Sequence, residues 1–163
     1  MNEKVTLVLG STSDEAKIQV LKDRLTVFGI GYDSIVLSAH RNSAELLEYL
    51  HGNDAGMYIA LVGRKPDLGA VIAANTEVPV ITYPIKSDSP GELAFYPSHL
   101  LSALDTPPGI AYALITDLEN VATFAATIVG MSNPKVREAL RNYKKKRAQK
   151  NLDANKELKI SGK

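Results

Sequence analysis

Four consecutive residues, Ser38-Ala39-His40-Arg41, carry the densest chemistry in this sequence. An imidazole exchanges a proton near neutral pH, and here it stands beside a guanidinium of fixed charge. That pair suits a general acid–base group next to an anion clamp. A histidine by itself is more often structural, so its surroundings decide. A second stretch, Gly10-Ser11-Thr12-Ser13-Asp14, offers a glycine, hydroxyls and a carboxylate. Hydroxyls and free N–H groups at a helix start make a phosphate cradle, and a carboxylate at its edge can hold ribose hydroxyls. The same residues also read as a serine-rich helix cap with no ligand. They lack the Gly-Lys-Ser/Thr of a P-loop and the later glycines of a dinucleotide fingerprint. A third stretch, Gly63-Arg64-Lys65-Pro66-Asp67-Leu68-Gly69, sets cations between glycines. Alone it reads as a solvated turn; its position as a third strand-end loop gives it weight. His51 reads as a helix-end residue and His99 as part of an interface or helix face, and the histidines do not have metal-ligand spacing.

The elements that must position these groups follow from hydrophobic period and turn chemistry. Val5 to Leu9 is a buried first strand, ended by Gly10. A helix opens at Glu15-Ala16-Lys17 and buries Ile18, Leu21, Leu25 and Phe28 until Gly29-Ile30-Gly31 stops it. Tyr32 to Leu37 is the second strand, followed by a helix over about Ser43 to His51 with Leu46, Leu47 and Leu50 inward. Met57 to Val62 is the third strand, Ala70 to Asn75 a short apolar helix, and Pro79 to Tyr83 the fourth strand. Ile85 to Pro97 reads as a long irregular loop, a functional loop or an interface. Ser98 to Leu104 is helical, Ile110 to Ile115 is the fifth strand, and Asp117 to Met131 is an apolar helix with Val121, Phe124, Ala125 and Ile128 in register. Pro134 opens a last helix that turns highly charged after Tyr143.

Strand and helix alternate along the whole chain, which predicts a parallel sheet with helices on both faces. In a flavodoxin-like strand order, the three loops meet at the carboxyl ends of the strands, where such sheets bind ligands. The 163 residues form one domain, with about 133–163 as a C-terminal helix and polar tail. Apolar residues make up 45% and charged residues 23%, the balance of an ordinary soluble domain. A net charge of +1 gives no global field to recruit nucleic acid or a membrane surface. The run Lys144-Lys145-Lys146-Arg147 reads as a solvated helix end. There is no cysteine, hence no disulfide or thiolate chemistry. The start lacks a signal-peptide pattern and no apolar run is long enough to span a bilayer, so the expected location is cytoplasmic.

Taken together, these motifs resemble the PurE family of purine biosynthesis. The likeness runs from about Val5 to Tyr143, and its signatures are the Gly10 to Asp14 loop and Ser38-Ala39-His40-Arg41. Pro107-Pro108-Gly109 and the block Phe124 to Asn133 also look like family features. One branch of the family, the N5-carboxyaminoimidazole ribonucleotide (N5-CAIR) mutases, carries a second histidine followed by Leu-Pro-Gly in the third loop. The other, the 5-aminoimidazole ribonucleotide (AIR) carboxylases, carries Gly-Arg-Ser-Asn, then a leucine and often a glycine. Gly63-Arg64, Leu68-Gly69, Asn75-Thr76 and Gly130-Met131-Ser132-Asn133 are similar to the carboxylase branch. Arg41 is the mutase-like choice, and Lys65-Pro66 replaces Ser-Asn.

The resemblance implies a three-layer αβα sandwich on a parallel flavodoxin-like sheet, with an extended C-terminal helix. It implies reversible carboxylation of AIR by CO2 at C4, giving 4-carboxy-5-aminoimidazole ribonucleotide (CAIR). The alternatives are N5-CAIR mutase activity or a non-catalytic ribonucleotide-binding relative. By the same resemblance, Ser11, Ser13 and Arg41 bind the substrate 5′-phosphate, Asp14 holds the ribose hydroxyls, and Gly10 is a further substrate-binding residue. Ser38 and Ala39 line the base pocket, Gly63, Arg64 and Leu68 close it near the carboxylate, and His40 is the acid–base group. CO2 is then the co-substrate, with no biotin, ATP or metal. The partners expected are a small ribonucleotide and further copies of the chain in a homo-octamer, with no nucleic acid and no membrane.

Overall fold

The computed structural model describes residues 3–161. Its centre is a five-stranded, all-parallel sheet in the order β2-β1-β3-β4-β5. The strands are β1 (Val5–Leu9), β2 (Tyr32–Val36), β3 (Met57–Val62), β4 (Val80–Pro84) and β5 (Ala113–Leu114). Every residue of β1 and β3 is buried, as a strand covered on both faces requires. β2 is an edge strand, and its Asp33 and Ser34 are exposed.

The period of two along the strands sorts side chains into two cores. Val5, Leu7 and Leu9 face a cluster built with α1 (Gln19–Val27), α6 (Leu118–Val129) and the first turns of α7 (Pro134–Ser161). Val8, Tyr58, Ala60 and Val62 face a second cluster, closed by α2 (Ser43–Gly52) and α3 (Asp67–Ala74). The result is three layers, helix–sheet–helix. Among the described residues, no helix is long and apolar enough to cross a membrane.

Several boundaries differ from the sequence reading. The first helix begins earlier, as a 3-10 segment over Thr12–Ile18 capped by Ser11, before α1 takes over. The turn expected over 63–69 ends at Pro66, because α3 starts at Asp67. Leu68 and Gly69 are therefore helical and buried, where α3 lies on β4. The loop expected over 85–97 holds a short helix, α4 (Pro90–Leu93), opened by Pro90, and the start of α5 (Tyr96–Leu104). β5 is two residues long, because Pro107 to Ile110 close a turn around Gly109, whose φ is 93°. Phe124 is 40% exposed; the buried stripe of α6 is Val121, Ala122, Ala125, Ala126 and Val129. Those alanines let α6 lie close to α1, and Phe124 falls outside the ~100° stripe that faces the core. The charged stretch after Tyr143 stays helical to Ser161.

Candidate active site

A cleft of about 610 Å³ opens over the carboxyl ends of the strands. It lies at the switch point, where the chain runs outward from β1 to β2 and the other way from β3 to β4. Four segments form its wall.

The first is the loop after β1. Gly10 N donates to the Leu61 carbonyl at 3.1 Å, tying the loop to β3. Ser11 is extended, with φ −154° and ψ 148°, and its hydroxyl lies 2.9 Å from that of Ser13. Asp14 follows within the 3-10 segment and is only 8% exposed. Burial raises its carboxyl above the usual carboxylate range, against the opposing pull of Lys17 and Arg41. Its carboxylate also fixes a residue of the third loop. A Cβ on Gly63 would stand 3.1 and 3.2 Å from the two Asp14 oxygens, so that position favours glycine.

The second segment follows β2. The Ser38 hydroxyl accepts from the backbone N–H groups of His40 and Arg41, at 3.4 and 3.3 Å. That turn lifts both side chains over the cleft. The Arg41 guanidinium donates to the Gly10 carbonyl and so bridges the first two loops. His40 Nε2 lies 3.0 Å from Asp67 Oδ2, at the first residue of α3.

Gly63, Arg64 and Lys65 form the third part of the wall, and Ile85, Lys86, Ser87 and Glu92 the fourth. Arg64 donates to Glu92 Oε1 at 2.6 Å, and the Ser87 hydroxyl donates to Glu92 Oε2 at 2.6 Å. These bonds, the Ser87 hydroxyl first, hold the Glu92 carboxyl below its ordinary range. Lys17 pairs with Asp88 at 3.1 Å and straps the same segment down from the opposite side. A side chamber of about 170 Å³ adjoins this wall, with Phe95, Tyr96 and His99 at its back.

Nine residues singled out from the sequence thus border one cleft: Gly10, Ser11, Ser13, Asp14, Ser38, His40, Arg41, Gly63 and Arg64. Two do not. Leu68 is 2% exposed and packs in the core beneath the wall, since its place in the first turn of α3 points it at the sheet. Ala39 packs against the same core cluster. The sequence reading passed over Lys17, Lys86, Ser87 and Glu92, which line the cleft, and Asp67, which touches His40. The lining carries five lysine or arginine side chains against two carboxylates, so it favours an anionic ligand. Among the described residues, no cluster of His, Asp and Glu has the arrangement to hold a metal ion.

Comparison with known proteins gives a consistent picture. A family model described as "AIR carboxylase" matches residues 4–150. A protein from Pyrococcus abyssi, named N5-carboxyaminoimidazole ribonucleotide mutase, is 34% identical over 146 residues, covering 86% of this chain and 82% of that one. A protein from Treponema denticola, named phosphoribosylaminoimidazole carboxylase, is 28% identical over 163 residues, covering 98% of this chain and 99% of that one. The crystal structure of Treponema denticola PurE superposes with a TM-score of 0.87 at 27% identity, over 96% of this chain and 98% of that one.

Proposed function

The chain belongs to the AIR carboxylase (PurE) family of purine biosynthesis, and we propose that within it the protein carboxylates AIR at C4 with CO2 to give CAIR. The observation that carries the reading is the third loop. Gly63-Arg64 stands on the cleft wall where the mutase branch places glycine, alanine and a second histidine. The full-length likeness to the Treponema denticola carboxylase supports the same choice.

AIR is an enamine-like heterocycle, and its C4 attacks CO2 directly. Ser11, Ser13 and Arg41 take the 5′-phosphate at the 3-10 helix start, and the carboxylate of Asp14 takes the ribose hydroxyls. Ser38 turns His40 over the base. Attack forms the C4–carboxylate bond and leaves C4 bearing its proton as well. His40 removes that proton, and the electron pair restores the aromatic ring; in reverse it protonates C4 and CO2 leaves. Arg64 lies near the new carboxylate. Ala39 and Leu68 stand behind the wall and act on its shape. The reading carries CO2 as co-substrate with no biotin, ATP or metal, a cytoplasmic location, and a homo-octamer in which α7 reaches a neighbouring subunit.

Arg41 and the mutase name of the Pyrococcus abyssi relative favour a second reading, N5-CAIR mutase. There His40 protonates the departing nitrogen before C4 recaptures the CO2. Two assays on the purified protein separate the readings. AIR with bicarbonate should give product at catalytic rates, and freshly made N5-CAIR should add little beyond its spontaneous breakdown. Fast turnover of N5-CAIR alone would overturn the carboxylase and establish the mutase. Ribonucleotide binding without turnover of either would leave a binding protein.

A further inference from the structure

His40 and Asp67 come from different strand-end segments, 27 residues apart, yet their side chains meet at 3.0 Å. Among the described residues, the Asp67 carboxylate is the one hydrogen-bond partner of the His40 ring. The ring is otherwise open, with 67% of the side chain exposed, while Asp67 is only 30% exposed. Asp67 sits on a rigid element. It opens α3, whose next residues, Leu68 and Gly69, are buried, and Gly69 lies directly against Thr82 of β4. His40 in turn is pinned at its backbone by the Ser38 hydroxyl. Lys65 Nζ stands 3.5 Å from the same Asp67 Oδ2, so that oxygen faces both the His40 ring and a cation.

We propose that Asp67 is a positioning residue that holds the N–H of His40 Nε2 and thereby makes Nδ1 the atom that takes the substrate proton. The chemistry is one of donors and acceptors. An ionised carboxylate only accepts, so the ring nitrogen facing it carries hydrogen. In the neutral imidazole the lone pair is then confined to Nδ1. When the C4 proton moves to Nδ1, the C–H electron pair returns to the substrate ring and the imidazole becomes imidazolium. Its second N–H stays on Asp67, which stabilises the charge that forms. Without the carboxylate the ring is free to rotate and to exchange tautomers, and the reactive nitrogen faces the substrate for only part of the time. The acidic side chain also stands in the first turn of α3, where it favours the helix. A purely structural role would act through that helix and leave the tautomer of His40 unchanged.

The inference rests on the acid–base role of His40 proposed above, and its test separates the two. The ring nitrogens of His40 are observed by 15N NMR in ligand-free wild type, Asp67→Ala, Asp67→Asn and Asp67→Glu, at about pH 8.5 where an ordinary imidazole is neutral. The same proteins are assayed with AIR and with N5-CAIR. In wild type, His40 should be the Nε2–H tautomer. Asp67→Ala should give a mixture of tautomers, and kcat should fall by at least about 10-fold and up to about 10⁴-fold, the loss when a carboxylate that fixes the tautomer of an acid–base histidine is changed. KM for the ribonucleotide should stay within about twofold, because uniform substrate binding is untouched. Asp67→Asn keeps the size and the helix start, and should show the same loss; Asp67→Glu should recover part of kcat. An unchanged tautomer in Asp67→Ala, or an Nδ1–H tautomer in wild type, overturns the proposal, as does an unchanged kcat. A wild-type protein inactive on both substrates would overturn the proposed function instead, and the spectra would still decide whether Asp67 sets the tautomer.

Discussion

Single residues in the cleft hold arrangements that stability alone does not favour, and Asp14 is the clearest. Its folded-state pKa is raised by burial, so the folded chain binds that proton more readily than the unfolded chain. The stabilising contribution is full below the ordinary Asp value of about 3.9 and is lost as pH rises through the raised value. Asp14→Asn should therefore melt higher than wild type at about pH 7, with a smaller gap at about pH 4, while binding the ribonucleotide more weakly. Thermal melts at both pH values check the sign, and a variant less stable at neutral pH would refute it. Arg41 makes a different prediction. Arg41→Ala should weaken the ribonucleotide far more than the dephosphorylated riboside; titration calorimetry with equal losses for both would remove Arg41 from the phosphate site. His40→Asn should keep binding and lose turnover by about 10²- to 10⁴-fold, and near-normal turnover would end its acid–base role. His40, Arg41 and the Ser11 to Asp14 loop were legible because their chemistry is local in sequence. Lys17, Glu92 and Asp67 were not, because each reaches the cleft only through the placement of another element.

At the scale of elements, α3 shows how the core constrains the site. Gly69 was read as part of a polar turn, yet it is a packing residue. A Cβ there would lie 1.8 Å from the Thr82 hydroxyl oxygen and 3.0 Å from the Thr82 Cβ. Among the described residues, that buried hydroxyl has no hydrogen-bond partner. Gly69→Ala should destabilise the protein by about 1–3 kcal/mol through overpacking, and should disturb the first turn of α3 that carries Asp67. In a Thr82→Ala background the same substitution should cost less, because the nearest obstacle is gone. A double-mutant cycle by urea unfolding measures that coupling, and an undiminished cost would show that α3 and β4 do not meet there. The periodicities of β1, β3 and α1 were readable because each is a long, one-sided or fully buried pattern. The region from Ile85 to Pro97 was not, because α4 is a single turn. What holds that segment over the cleft is Arg64 to Glu92 and Lys17 to Asp88, pairings with no sequence period.

The whole molecule is a close-packed sheet sandwich with one element that outruns it. α7 is 28 residues long, about 42 Å at the usual rise. Its first turns belong to the core: Val136 and Leu140 are buried, and Tyr143 meets Phe28 edge-on at 5.4 Å, with the Arg24 guanidinium 4.8 Å from its ring centre. Glu119 of α6 gathers Arg24, Tyr143 and Arg147 around one carboxylate, whose pKa is lowered chiefly by Arg24. Past Arg147 the helix leaves the body, and residues 148–156 are exposed along their whole length, including Leu152 at 56%. An isolated polar helix of that length is marginal in water, and in the homo-octamer proposed above a neighbouring subunit would support it. This is where the sequence was least informative: a charged run reads the same whether it is solvated or lies against another copy. Removing residues 150–163 should leave Tm within about 2–4 °C of the full chain at the level of one subunit, since residues 150–156 are exposed. The assembly should respond differently. Under the octamer proposed above, sedimentation velocity should move from an octamer-sized species toward smaller ones, with turnover falling alongside if neighbours help to close the cleft. An unchanged sedimentation profile would show that the end of α7 takes no part in assembly, and a large drop in Tm would show that it stabilises its own subunit instead.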